Sequence, residues 1–190
     1  VFALRDMDDA ADGGKVKERY NGSGATVRGF NVEGRAAFTR WFELQAGVTL
    51  QQSRSKEPEY WSEDAEVPPV RRMFRTPDAY GYFTASFKPV RNFTADLSGT
   101  CTGSMLVQHM AGSGVGQDVA VSTPSFFDMN IRLSYDVRIY KEITMQLYGG
   151  VQNLFNAYQK DFDKGVDRDS GYIYGPSLPR SWFVGAKFSF

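Results

Sequence analysis

The dominant pattern along the chain is alternation of apolar and polar residues, which is the period of a β-strand and not of a helix. It is cleanest from Phe93 to Met105, where every second residue is polar and the residues between are apolar or small. This alternation predicts seven antiparallel strands, close to residues 28–39, 42–53, 77–88, 93–107, 125–137, 143–155 and 172–190. Residues 1–4 fit the end of an eighth strand.

The connections between the predicted strands alternate in length. Short turns fall near residues 40–41, 89–92 and 138–142, and long polar loops fall near 5–27, 54–75, 108–124 and 157–171. Tight turns at one end and long loops at the other are typical of outer-membrane barrels. A soluble β-sandwich also alternates apolar and polar faces, so it stays as the competing architecture.

Three features favour the membrane barrel. The predicted strand over residues 93–107 spans about 15 residues, whereas ordinary strands have about 5–6. The apolar faces mix glycine and alanine with large residues, which suits contact with fluid lipid better than a dry core. Aromatic residues also gather at the short-turn end, as a girdle at the lipid–water boundary requires. They are Phe38, Trp41, Phe42, Phe87, Phe93, Tyr135, Tyr140, Phe188 and Phe190.

The alternation also assigns a direction to each face of the predicted sheet. Because a membrane barrel has apolar residues outside and polar residues inside, one face should contact lipid and the other water. The lipid-facing set includes Leu133, Leu147, Val184 and Phe188, and the water-facing set includes Asp128, Arg132, Gln146 and Lys187.

Composition excludes several classes of protein. The chain has 22 basic and 22 acidic side chains, without the basic excess of a nucleic-acid binder. No apolar run approaches the roughly 18 residues of a membrane-spanning helix. The single cysteine, Cys101, and the single histidine, His109, argue against zinc sites and Cys–His nucleophilic pairs. Since no catalytic constellation is found, we predict neither an enzyme nor a bound cofactor.

The last third of the chain carries an ordered set of motifs. One strand ends on Asn153-Leu154-Phe155, a loop follows, Pro179-Arg180 precedes the last strand, and that strand closes on Phe190. This order resembles the C-terminal end of TonB-dependent outer-membrane receptors. The resemblance implies an all-β, antiparallel transmembrane β-barrel, in which residues 1–190 supply about the last seven strands of a 22-stranded barrel. The plug domain and the earlier strands are then expected outside residues 1–190.

The resemblance also implies a function. It predicts TonB-dependent import of a scarce nutrient across the cell outer membrane, an iron–siderophore complex first, with cobalamin or a glycan as alternatives. The expected partners are outer-membrane lipid, the remainder of the receptor, the barrel-assembly machinery, and TonB through the N-terminal part. A self-contained small barrel, acting as a structural anchor or a membrane enzyme, stays as the alternative.

Candidate ligand contacts lie in the loop over residues 57–75. Tyr60, Trp61, Arg71 and Arg72 combine aromatic rings with guanidinium groups, which suits stacking and charge-assisted hydrogen bonds to an anionic iron chelate. The same loop holds five carboxylates, so its charges cancel and a solvated surface loop is the favoured interpretation. These carboxylates are Glu57, Glu59, Glu63, Asp64 and Glu66.

Two further sets of residues have a spacing that bears on function. The resemblance implies that the last strand carries the signal read by the barrel-assembly machinery, on Trp182, Val184, Ala186, Phe188 and Phe190. A second set of oxygen ligands, Asp161, Asp163, Asp167 and Asp169, falls in the last long loop. The spacing of these carboxylates does not match a calcium-binding loop, and no metal site is predicted there.

Overall fold

The computed structural model describes residues 2–8, 15–64, 66–141, 143–176 and 178–190, and all of their regular secondary structure is β-strand. The strands are β1 (Phe2–Asp8), β2 (Lys15–Asn21), β3 (Ala25–Thr39), β4 (Phe42–Glu59), β5 (Val70–Arg72), β6 (Ala79–Val90), β7 (Phe93–Thr102), β8 (Leu106–His109), β9 (Val119–Ser122), β10 (Phe126–Tyr140), β11 (Ile143–Gln152) and β12 (Ser181–Ser189). Within these residues, no helix has the length and apolar character needed to cross a membrane.

One large antiparallel sheet dominates the structure. Its strand order is β3–β4–β6–β7–β10–β11–β12, with the short β5 paired to β4. The hairpins β1–β2 and β8–β9 form separate two-stranded sheets. In the described sheet β3 and β12 each pair with a single neighbour, so these two strands form its edges.

All seven predicted strands belong to this sheet, but several of their ends differ from the prediction. β3 begins three residues before its predicted start at residue 28, and β4 continues six residues beyond its predicted end at residue 53. The predicted strand 93–107 stops at Thr102: the Gly103 amide still donates to the Ala79 carbonyl of β6 at 2.7 Å, and Leu106 then begins the separate strand β8. The strand predicted over 143–155 stops at Gln152, since Asn153 has a φ of 51°. Of the strand predicted over 172–190, only Ser181–Ser189 is β-strand, and the residues before it belong to a packed loop.

Three of the predicted loops contain regular structure. The segment 54–75 holds the end of β4 and all of β5. The segment 5–27 includes parts of β1 and β3 and all of β2, so the strand that begins at Phe2 extends to Asp8 and pairs antiparallel with β2. The segment 108–124 holds β9 and the end of β8. Residue 1 and residues 9–14 lie outside the described part of the chain.

The register of the sheet sorts its side chains into two faces. We call the face of Leu133 the apolar face; one row across it reads Phe42, Phe87, Ala95, Leu133, Gly149 and Val184. We call the opposite face the polar face; one row across it reads Glu43, Ser86, Asp96 and Arg132. The predicted division into two sets is confirmed, because Leu147 and Phe188 share the apolar face, and Asp128, Gln146 and Lys187 the polar face.

The apolar face is not covered by any other described layer. Val184 and Trp182 on β12 are 89% and 77% exposed, while the buried cluster of Val107, Tyr172 and Tyr174 lies among the loops. A sandwich would instead bury the inner faces of two sheets against each other. At the short-turn end, Trp41 packs edge-on against Phe87 at 5.2 Å, and Phe38 stacks with Phe42 at 5.7 Å. The arrangement therefore follows the barrel wall and not the sandwich.

Candidate functional site

The long loops fold into one packed assembly at the end of the sheet opposite the short turns. We call residues 153–176, together with the hairpin β8–β9, the loop platform. Asn153 anchors one end of it, because its Nδ2 donates to the carbonyls of Ala157 and Leu178, both at 2.9 Å. Its Oδ1 accepts from the Ala157 amide at 2.8 Å. One buried amide thus fixes where the chain leaves β11 and where it returns toward β12.

Two tyrosines and one carboxylate form the centre of the platform. Tyr172 and Tyr174 donate from their hydroxyls to Asp161, at 2.9 and 2.7 Å. Partial burial raises the pKa of Asp161, but the hydrogen bonds from Tyr174 and Tyr172 outweigh it, so that pKa lies below its ordinary value. Burial, reinforced by the bond to Asp161, raises the pKa of Tyr174. The tyrosines therefore stay neutral donors and the carboxylate stays charged.

His109 joins the hairpin β8–β9 to the last long loop. The ring is 6% exposed and stacks on Tyr172 with a centroid separation of 3.7 Å and an angle of 5° between the planes. Its Nε2 lies 3.0 Å from Asp163, and that hydrogen bond lowers the pKa of the Asp163 carboxyl. Gln159, also buried, bridges the backbone of Tyr172 and Tyr174 at 3.1 and 2.7 Å. These contacts pack the last long loop against the hairpin β8–β9, so the platform is one packed assembly and not a set of separate loops.

Two adjoining clefts lie where the platform meets the polar face. Their volumes are about 360 and 320 Å³, and both are lined by Asp128 and Pro176. The Oδ1 atom of Asp128 is buried and has no hydrogen-bond partner among the described residues. The remaining lining residues are Thr100, Thr102, Phe126, Asn130, Gln152, Asn153, Gly175, Leu178, Pro179 and Ser181. The walls of these clefts include hydroxyl, amide and carboxylate groups that could donate or accept hydrogen bonds on the polar face.

The four predicted ligand contacts do not converge on one site. Trp61 packs against Phe74 at 5.3 Å and donates to the Pro68 carbonyl at 3.3 Å. Arg72 donates to the Ser104 carbonyl and pairs with Asp78, both at 2.9 Å. Tyr60 is 78% exposed and Arg71 is exposed, so these two present their side chains to solvent. A role of the four in ligand contact stays a prediction, with Tyr60 and Arg71 the accessible members.

The aspartates of the last loop serve several different partners. Asp161 accepts from the tyrosines, Asp163 faces His109, and Asp169 accepts from the Met110 and Gly171 amides at 2.8 and 2.7 Å. Among the described residues, no three side chains of the kinds that ligate metals come together. Sequence reasoning missed the platform. The only sequence feature that marks it is the pair of tyrosines two residues apart, and this spacing is also that of side chains on one face of a β-strand.

The proposed assembly signal lies on an open strand. Trp182, Val184, Ala186 and Phe188 are exposed and share the apolar face of β12, and Phe190 follows the strand. Recognition of these residues by an assembly machinery stays a prediction.

A meander with one apolar face, one polar face, tight turns at one end and long loops at the other is the architecture of a membrane β-barrel wall. Among solved structures, the chain is similar to the ferric-catecholate import receptor Fiu from E. coli K12 in its closed form, with a TM-score of 0.58 and 20% identity. The match covers 94% of this chain and 22% of that receptor. At this identity the likeness concerns the fold, and it supports the predicted resemblance to the barrel portion of TonB-dependent receptors.

The other two comparisons found no relatives: no family model and no curated protein matches the sequence. The total of 22 strands in a closed barrel stays a prediction.

Proposed function

We propose that this chain forms part of the wall and loops of an outer-membrane receptor that imports a scarce nutrient with energy delivered through TonB. The observation that carries the proposal is the uncovered apolar face, which continues across the seven long strands of the main sheet. Such a face is stable when lipid covers it. The similarity in fold to an import receptor supports transport over catalysis.

The substrate we propose first is an iron–siderophore complex, with cobalamin or a glycan as alternatives. The similar receptor is described as a ferric-catecholate import receptor. Ferric catecholates are anionic chelates that contain aromatic rings. Tyr60 and Arg71 provide an exposed ring and an exposed guanidinium on the loop side of the sheet. Stacking and a charge-assisted hydrogen bond from this pair suit such a ligand. The proposed partners are the remainder of the receptor, including its plug, TonB, outer-membrane lipid and the barrel-assembly machinery.

The test is uptake by cells that carry or lack the full-length protein. We expect accumulation of a radiolabelled iron–siderophore complex to require both the protein and TonB, and to fall in a Tyr60→Ala/Arg71→Gln double variant. Lys164→Gln is the matched control, because it removes one exposed loop cation elsewhere. Uptake that is unchanged without TonB would contradict the proposal. Labelled cobalamin and labelled oligosaccharide assign the substrate class if iron uptake is unaffected.

A second experiment addresses the alternative of a self-contained small barrel. The two edges of the described sheet, β3 and β12, leave backbone groups unpaired, and each such group costs several kcal/mol in lipid. Residues 1–190 refolded alone in detergent should therefore aggregate or associate. A closed, heat-resistant monomer would support the small barrel instead.

A further inference from the structure

A group of cations lies on the apolar face at the loop end of β3, β4 and β5. Arg54 stands directly opposite Arg72 in the register, and Arg28 stands opposite Gln52, one row nearer the middle of the sheet. Lys56 follows Arg54 by two residues and therefore shares its face. We call Arg28, Arg54, Lys56 and Arg72 the basic patch. The four residues come from three strands, and only the register brings them together.

The height of the basic patch can be worked out from strand geometry. On β4 the apolar face carries Phe42, Leu44, Ala46, Val48 and Leu50, all uncharged. At about 3.4 Å per residue and a tilt of about 40°, this run rises roughly 21 Å, close to the ~25 Å apolar band of such barrels. Arg54 lies four residues beyond Leu50, or about 10 Å higher on the same estimate. The patch is therefore level with lipid headgroups and not with acyl chains.

The charges of the patch are poorly satisfied within the described part of the chain. Arg28, Arg54 and Lys56 are exposed, and no hydrogen bond or ion pair to another described side chain engages them. Arg72 pairs with Asp78 at 2.9 Å, but its Nε is buried without a partner. Like charges placed directly opposite each other on neighbouring strands are destabilising. Since Asp78 offsets one cation, the patch keeps a positive excess that an anion would relieve.

We propose that the basic patch binds the phosphate of an anionic lipid headgroup in the membrane leaflet on the loop side. Guanidinium groups suit phosphate, because their planar donors bind two oxygens at once. Directly below the patch, Phe30 and Leu50 are 62% and 52% exposed on the same face, where acyl chains would lie. A phosphorylated lipid satisfies both regions, whereas free phosphate satisfies only one. The inference rests on the proposed function only in requiring that the apolar face contact a membrane.

The experiment measures lipid binding to the full-length protein in neutral detergent, by native mass spectrometry. The probes are diphosphoryl lipid A, the same lipid without phosphates, and inorganic phosphate. An Arg28→Gln/Arg54→Gln variant should bind the diphosphoryl lipid about twenty-five-fold more weakly, at roughly fivefold for each cation removed. Lys164→Gln removes one loop charge outside the patch and should leave the affinity unchanged.

Each outcome bears on the inference. Selective loss of the diphosphoryl lipid from the double variant, with circular dichroism and heat resistance retained, supports it. Equal binding of the lipid without phosphates, or unchanged affinity in the double variant, overturns it. Inorganic phosphate that binds as tightly as the lipid also overturns it, since the patch would then be a simple anion site. Nutrient uptake is measured separately, so a failure of lipid binding leaves the proposed import function standing.

Discussion

Replacing Leu133 with arginine tests which solvent covers the apolar face. Leu133 lies on β10, six residues beyond Phe127 and four before Val137 on the same face, and it is 44% exposed. The run from Phe127 to Val137 rises roughly 26 Å at ~3.4 Å per residue and ~40° tilt, so Leu133 lies within about 3 Å of its middle. A charged side chain at the midplane of a membrane barrel costs about 2–4 kcal/mol.

The assay is reversible denaturant unfolding of the full-length protein in lipid vesicles, followed by tryptophan fluorescence. Leu133→Arg should lower the free energy of unfolding by about 2–4 kcal/mol, and Val137→Arg, nearer the interface, by only about 0–1 kcal/mol. The matched control is Thr84→Arg, which places the same side chain at an exposed position of the polar face. We expect the control to stay within about 0.5 kcal/mol of the parent, as surface substitutions usually do.

The comparison between the two faces decides the outcome. If Leu133→Arg changed stability by less than about 0.5 kcal/mol while Thr84→Arg cost several, the apolar face would be solvated and the polar face buried. Equal costs at Leu133 and Val137 would also refute the reasoning, because depth dependence is the signature of lipid. Either result would remove the basis of the membrane assignment.

The loop platform leads to two more predictions. Asn153→Ala should destabilise the protein by about 2–3 kcal/mol in denaturant titrations, because it removes three hydrogen bonds and puts alanine at a positive φ; Asn153→Gly should cost less. The platform should also loosen in acid: since the pKa values of Asp161 and Asp163 lie below the ordinary one, their stabilisation is full above about pH 4 and falls as pH drops through the lowered values. Near-ultraviolet circular dichroism of the tyrosines measures this loss, and an Asp161→Asn/Asp163→Asn variant should show little of it.

The strands of the main sheet could be predicted because each of them meets the same two environments. A strand with one apolar and one polar face must alternate with a period of two, whatever its neighbours are. Phe93 to Thr102 displays this alternation in ten consecutive residues, and the structure pairs all ten with β10. Register followed from the tight turns, such as the one between Thr39 and Phe42. The position and pairing of these strands can therefore be predicted from the local sequence alone.

The loop platform could not be predicted, because its contacts join distant residues. Tyr172 and Tyr174 have the spacing of strand residues, yet Asp161 holds them from 11 and 13 positions earlier in the chain. Arg75 donates to the Ile173 carbonyl, 98 residues away. The period of apolar and polar residues along the chain does not predict contacts between such distant residues. The same limit applies to the predicted ligand loop, where Trp61 and Arg72 donate hydrogen bonds to the carbonyls of Pro68 and Ser104.

The net charge of the chain does not show how its charged side chains are distributed over the sheet. The 22 basic and 22 acidic side chains sum to zero, and from this sum we inferred only that nucleic acid is an improbable partner. Yet the register places Arg54 opposite Arg72 on a face that is otherwise uncharged from Phe42 to Leu50 along β4. A ligand or a lipid meets one face of the sheet and not the average of the chain. For a barrel wall, the charge that matters is therefore counted by face and by height, and both follow from strand register.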